Sequence, residues 1–103
     1  MRYEIILSPE AIEDLHGLKA HWRATVRDAV ETHLRHAPTQ ESKSRIKRLR
    51  GLSRPQFRLR VDEMRVFYDV SEGVVEILSI VLKSEAEAWL EKVGKQNETG
   101  NSG

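Results

Sequence analysis

The 103-residue chain contains no cysteine. That excludes disulfides, thiolate nucleophiles and cysteine-based zinc sites together. No apolar run approaches the roughly 20 residues that a membrane helix needs. The opening MRYEIILSPEA has only a short apolar stretch, Ile5 to Leu7, before Pro9. We therefore expect no signal peptide, no membrane partner and, by default, a soluble cytoplasmic protein. There is no Gly-rich phosphate loop and no nucleophile elbow. Internal repeats are absent, as is any linker long enough to divide the chain. What remains fits one small domain over residues 1–94, with 95–103 (KQNETGNSG) as a disordered tail. Hydrophobic residues make up 39% of the chain and charged residues 32%, enough for a modest core.

The net charge of +1 conceals a strong asymmetry. Residues 1–42 sum to −2 and residues 66–103 to −4. Residues 43–65 carry nine basic side chains (Lys43, Arg45, Lys47, Arg48, Arg50, Arg54, Arg58, Arg60, Arg65) against Asp62 and Glu63, giving +7. Seven of the nine are arginine, which suits bidentate phosphate contacts better than lysine does. Such a block points to a polyanion partner. The bland alternative is a solvated loop whose charges maintain solubility.

Residues 2–7 read as a strand. Ser8-Pro9-Glu10 then starts a helix, with Ser8 as N-cap and Pro9 at the first helical position. Ala11, Leu15, Leu18 and Trp22 share one helical face, and Val26, Ala29, Val30, His33 and Leu34 continue a stripe as far as Pro38. A helical hairpin broken near residues 17–21 is the reading. The four histidines (His16, His21, His33, His36) all fall in this region and read as helix-surface residues, so no metal is expected. Lys47 to Arg50 reads as a short strand or a loop. Phe57, Leu59 and Val61 alternate with Arg58 and Arg60, and residues 64–70 place Val66, Tyr68 and Val70 opposite Arg65, Phe67 and Asp69. Residues 74–82 are apolar on both faces, as in a central strand, with a register that a bulge at Gly73 would swap. Ser84 to Glu87 fits a capping box, starting a short helix over 85–93 that Gly94 would stop.

A turn centred on Asp62-Glu63 pairs Arg60 with Arg65 and Arg58 with Phe67. Guanidiniums directly across a sheet repel by a few tenths to about 1 kcal/mol. Folding gives no reason to place them there, whereas a bound polyanion reverses the sign. Phe67, read as exposed beside them, offers a platform for base stacking. The competing reading has Asp62, Glu63, Asp69 or Glu76 neutralising the arginines as surface pairs.

The run Leu49-Arg50-Gly51, then Phe57 to Val61, then Met64 to Val70 resembles the core of the RelE/ParE toxin superfamily. Leu7-Ser8-Pro9-Glu10-Ala11 with Leu15, and Val81 to Glu85 before a helix with Trp89, fit the same pattern. The resemblance spans about residues 2–93. It implies an α+β fold: an antiparallel sheet of about four strands with an N-terminal helical hairpin and a short C-terminal helix. It also implies the toxin of a type II toxin–antitoxin system, with a cognate antitoxin as partner and no cofactor. RelE-like members cut mRNA on the ribosome, and ParE-like members poison DNA gyrase. The aromatic segment usual in the first helices of ParE-like chains is missing, since Gly17 to Trp22 reads GLKAHW. A metal-independent, ribosome-dependent mRNA endoribonuclease is therefore the first expectation. A gyrase inhibitor, or an inactive member that only binds its antitoxin, is the alternative.

Carried over residue by residue, the resemblance gives Arg58, Arg60 and Arg65 to the scissile phosphate and Lys83 to proton transfer. Lys47, Arg48 and Arg50 would hold RNA backbone. Glu76 or Asp69 is a second candidate base, because a guanidinium is a poor one. The family's C-terminal tyrosine has no counterpart here. Trp89 and Leu90 occupy that region, with Trp89 read as packing on the sheet in preference to stacking on a base.

Overall fold

The helix signals at Ser8 and Pro9 act as they read. In the computed structural model, which describes residues 1–102 and their side chains through residue 94, strand β1 (Glu4–Leu7) leads directly into helix α1 (Pro9–His16). The Ser8 hydroxyl accepts the Ala11 N–H at 3.1 Å and donates to the Leu78 carbonyl at 3.0 Å. One side chain thus caps the helix and ties it to the sheet. Helix α2 (Ala20–Leu34) follows a short break and completes the hairpin.

Four more strands follow: β2 (Ile46–Arg48), β3 (Phe57–Val61), β4 (Met64–Ser71) and β5 (Val74–Leu82). The sheet order is β1-β5-β4-β3-β2. β1 runs parallel to β5, and every other pair is antiparallel. The sheet has five strands where about four were expected, because residues 46–48 pair with β3. Ile46 lies opposite Leu59 and is buried, which anchors this short segment as an edge strand.

One face of the sheet carries the main core. Phe57, Leu59, Val66, Tyr68, Ile77 and Ile80 pack there against Ala11 and Leu15 of α1 and Val26, Val30 and Leu34 of α2. Each such aliphatic or aromatic side chain contributes about 1.5–3 kcal/mol on burial. The Tyr68 hydroxyl, inside this core, donates to the Pro38 carbonyl at 2.7 Å, so its polar group is satisfied.

The face swap in β5 occurs at Leu78 and not at Gly73. Tyr68 pairs with Ile77 and Phe67 with Ser79, leaving Leu78 between them. The buried core positions therefore change parity, from Val75 and Ile77 to Ile80. Asp14 of α1 secures the bulge by accepting the Ser79 hydroxyl and the Ile80 N–H, both at 2.9 Å. Gly73, at φ +69°, serves the β4–β5 turn.

Helix α3 (Lys83–Ser102) corrects two expectations. It begins at Lys83, directly after β5, so Ser84 lies in its first turn instead of capping it. It also continues through Gly94, so the backbone of 95–102, read as a disordered tail, is helical; residue 103 lies outside the described residues. Gly94 marks a close approach, not a helix end. A Cβ there would come within 3.2 Å of a Leu52 methyl from the β2–β3 loop.

Candidate nucleic-acid interface

The β3–β4 hairpin turns at Asp62-Glu63, with Asp62 in the left-handed region at φ 50°, a conformation that aspartate tolerates. Val61 pairs with Met64, Arg60 with Arg65, Leu59 with Val66 and Arg58 with Phe67. Since Leu59 and Val66 enter the core, Arg58, Arg60 and Arg65 share the opposite face. The edge strand extends this face. Lys47 lies across from Arg58, and the Arg60 N–H donates to the Arg45 carbonyl at 2.8 Å. Two rows result, Lys47–Arg58–Phe67 and Arg45–Arg60–Arg65.

The three central arginines differ in environment. Arg65 is only 6% exposed. One of its terminal nitrogens donates to the carbonyls of Asp62 at 2.9 Å and Met64 at 2.8 Å, which braces the turn. Burial first, then the neighbouring Arg58 and Arg60 guanidiniums, lower its pKa below the usual arginine value, with Glu63 opposing. An arginine so shifted is still a cation at neutral pH. Arg58 is half-buried, and its Nε is sealed from solvent with no hydrogen-bond partner among the described residues. Arg60 is exposed. Among the described residues neither Arg58 nor Arg60 forms an ion pair.

The nearby carboxylates are engaged elsewhere. Asp69 and Glu76 face each other across β4 and β5, and Arg54 bridges them at 2.7 and 3.0 Å. Asp69 also accepts the Gln56 N–H at 2.8 Å. Neither carboxylate forms an ion pair with the arginine rows among the described residues.

Several candidate residues sit differently from expectation. Phe67 is no open platform: it is fully buried, and Trp89 of α3 stacks on it with centroids 4.8 Å apart and planes inclined by 10°. Trp89 in turn donates its indole N–H to Glu10 at 2.8 Å. The sequence showed an apolar side to the last helix without showing which face of the sheet it would cover. Arg48 pairs with Phe57 and lies 5.3 Å from that ring's centroid. It therefore points to the side covered by α1 and α2, away from the other cations. Arg50 is exposed in the β2–β3 loop, and Lys47 is exposed on the arginine face. Lys83 stands at the β5–α3 junction, where its backbone N–H donates to the Glu63 carbonyl at 2.7 Å. Its side chain lines a cleft with Glu63, Ser84 and Glu87 and makes no hydrogen bond to the arginines among the described residues. Arg45 was missed. Only the pairing of residues 46–48 with β3, carried one residue further, would have placed it opposite Arg60.

This surface can hold phosphate groups and stabilise negative charge that develops on them. No helix among the described residues is long and apolar enough to cross a membrane.

Comparison with curated proteins gives no match. Among solved structures, the chain is similar to the toxin–antitoxin complex RelBE2 from Mycobacterium tuberculosis, with TM-score 0.68, 24% identity and coverage of 80% of this chain and 99% of that one. A free double mutant of the E. coli toxin RelE gives TM-score 0.68 at 21% identity, covering 93% and 98% of the two chains. The YoeB dimer from Staphylococcus aureus gives 0.60 at 21% identity, covering 79% and 97%. These likenesses establish the α+β toxin fold. The family model described as the ParE toxin of the type II toxin–antitoxin system parDE matches residues 5–87. With that match running from β1 into α3, the chain belongs to the ParE toxin family, within the RelE/ParE superfamily of type II toxin–antitoxin systems.

Proposed function

We propose that this toxin inhibits translation by cutting mRNA on the ribosome, and that a cognate antitoxin holds it in check. One observation carries the reading: Arg58, Arg60 and Arg65 gather on one sheet face with no ion pair among the described residues, while Asp69 and Glu76 are held by Arg54. In the proposed reaction a ribose 2′-OH attacks the adjacent phosphate. The 2′-O–P bond forms, the P–O5′ bond breaks, and a cyclic phosphate and a 5′-OH end result. Arg58 and Arg60 hold the phosphate oxygens and offset charge on the pentacoordinate phosphorane. Arg65 fixes the hairpin and adds to the local positive potential. Lys83 assists proton transfer, and Lys47 and Arg50 hold RNA backbone. The RelE and YoeB structures of the same fold support this reading, as do the toxin–antitoxin complexes for the partner.

The family match favours a second reading, a gyrase inhibitor without catalytic residues. Induction of the toxin in growing cells, with cleavage mapping of a reporter mRNA beside a DNA supercoiling assay, separates the two. We expect mRNA cleavage and unchanged supercoiling. Arg65→Glu and Arg60→Glu should each abolish growth inhibition. Unchanged inhibition in both variants, or supercoiling loss without mRNA cleavage, overturns the proposal, and an inert wild type points to a member that only binds its antitoxin.

A further inference from the structure

The arginine rows do not end at β3. Arg45 lies one residue beyond the laddered pairs of β2, and the Arg60 N–H to Arg45 carbonyl bond fixes it as the next member of the Arg60–Arg65 row. Its backbone is held from the other side as well. The Ser42 hydroxyl accepts the N–H groups of Arg45 and Ile46 at 3.1 and 3.2 Å, and the Ser42 N–H donates to the Ile46 carbonyl at 2.9 Å. A small closed turn thus presents an arginine at the sheet edge with little freedom in its main chain.

The guanidinium itself has no hydrogen bond or ion pair among the described residues. Glu41, the nearest acidic residue in sequence, has a carboxylate oxygen accepting the Arg48 N–H at 3.0 Å. Arg45 also lines two polar clefts. One holds Ser44, Arg60, Asp62 and Glu63 on the sheet side, and the other holds His33, Glu41 and Ser42 beside the end of α2. A strand of nucleic acid leaving the sheet face over β2 would pass this residue. From β4 to β2 is two strand spacings, about 10 Å, and long arginine stems at that separation can hold successive phosphates of one chain.

We propose that Arg45 is an outer phosphate clamp for single-stranded RNA, so that the bound strand crosses the sheet from β4 toward edge strand β2. This rests on the RNA-cleaving reading above and adds a direction to it. Arg45 is a binding residue for a flanking phosphate and takes no part in the bond change.

The test uses the full chain and a single-stranded oligoribonucleotide carrying a 2′-O-methyl group at each position to block cleavage. Affinity is measured from about 50 to 200 mM salt for wild type, Arg45→Gln, Arg45→Lys and Arg58→Gln. Arg45→Gln should bind about tenfold more weakly at the lowest salt, and its log–log salt slope should be shallower by about 0.7, the value for one lost single-strand phosphate contact. Arg45→Lys should keep the wild-type slope. With cleavable mRNA presented on ribosomes, Arg45→Gln should raise KM and leave kcat near wild type, whereas Arg58→Gln lowers kcat. If wild type binds RNA and Arg45→Gln matches it in affinity and slope, the clamp is overturned while the RNA reading stands. If wild type binds no RNA, the clamp falls, and the reporter-mRNA cleavage mapping above decides the ribosome-dependent reading separately.

Discussion

Phe67 and Trp89 stack nearly parallel, with ring centroids 4.8 Å apart, and so fasten helix α3 to the sheet face that also carries the arginines. Phe67 sits directly across from Arg58 in the hairpin register, and the floor of the basic surface depends on this pair. Trp89→Ala should lower unfolding stability by about 2–3 kcal/mol, below the full cost of a buried aromatic because Trp89 is only half-buried. Trp89→Phe should lose less than half of that. Urea unfolding monitored by far-UV circular dichroism measures both.

Arg60 should trade stability for function. It faces Arg65 across the hairpin, and like charges so placed are destabilising. Arg60→Gln is expected to raise stability by about 0.5 kcal/mol at low salt while abolishing growth inhibition. Because Arg60 is exposed, the gain should shrink toward zero at 0.5 M salt, roughly, as screening takes over. Denaturant midpoints at two ionic strengths, together with an induction assay, read the two effects separately.

The Arg54 bridge makes a different prediction. Arg54 spans two carboxylates that oppose each other on neighbouring strands. Its side chain is 53% exposed, so each pair is worth at most about 1 kcal/mol. Arg54→Gln loses those contacts and leaves Asp69 and Glu76 repelling, for an expected total of about 1 kcal/mol. Adding Glu76→Gln should recover part of it. A double-mutant cycle by urea denaturation gives the coupling.

Alkaline pH should act through Tyr68. Burial pushes its phenol well above the ordinary tyrosine value. Unfolded, the same group titrates near pH 10 or so. Above that pH the unfolded chain releases a proton that the native chain keeps, so stability falls by up to about 1.4 kcal/mol per pH unit. Below it, this contribution is constant. Tyr68→Phe should flatten the alkaline limb and lose about 1 kcal/mol at neutral pH, since the Pro38 carbonyl is left without its donor. Thermal unfolding between pH 7 and 11 or so tests both limbs.

Much of this arrangement is written in local pattern. Alternating residues on either side of Asp62-Glu63 allow one register, and that register alone puts Arg58, Arg60 and Arg65 on a common surface. Ser8-Pro9 likewise announces α1. Features that depend on a distant partner were hidden. Phe67 reads as exposed until α3 is known to cover that side, and Arg48 reads as part of the basic face until Ile46 is known to enter the core and fix the parity of β2. Gly94 looks like a helix stop because nothing nearby reveals that Leu52 packs against it. The Leu78 bulge is invisible because every neighbour in β5 is apolar and both parities look alike. Lys83 was assigned by resemblance, and its position at the β5–α3 junction owes nothing to periodicity.

The last strand of the order, β2, is an edge at which another chain could join, but residues 41–42 already engage its outward Ile46 N–H and carbonyl and its Arg48 N–H. It is only three residues long, and two of those are Lys47 and Arg48. A second copy approaching this rim would bring an identical set of cations against it. The covered backbone and the positive charge gathered there act together against fibril-like self-association, and neutralising the charge removes one of the two guards.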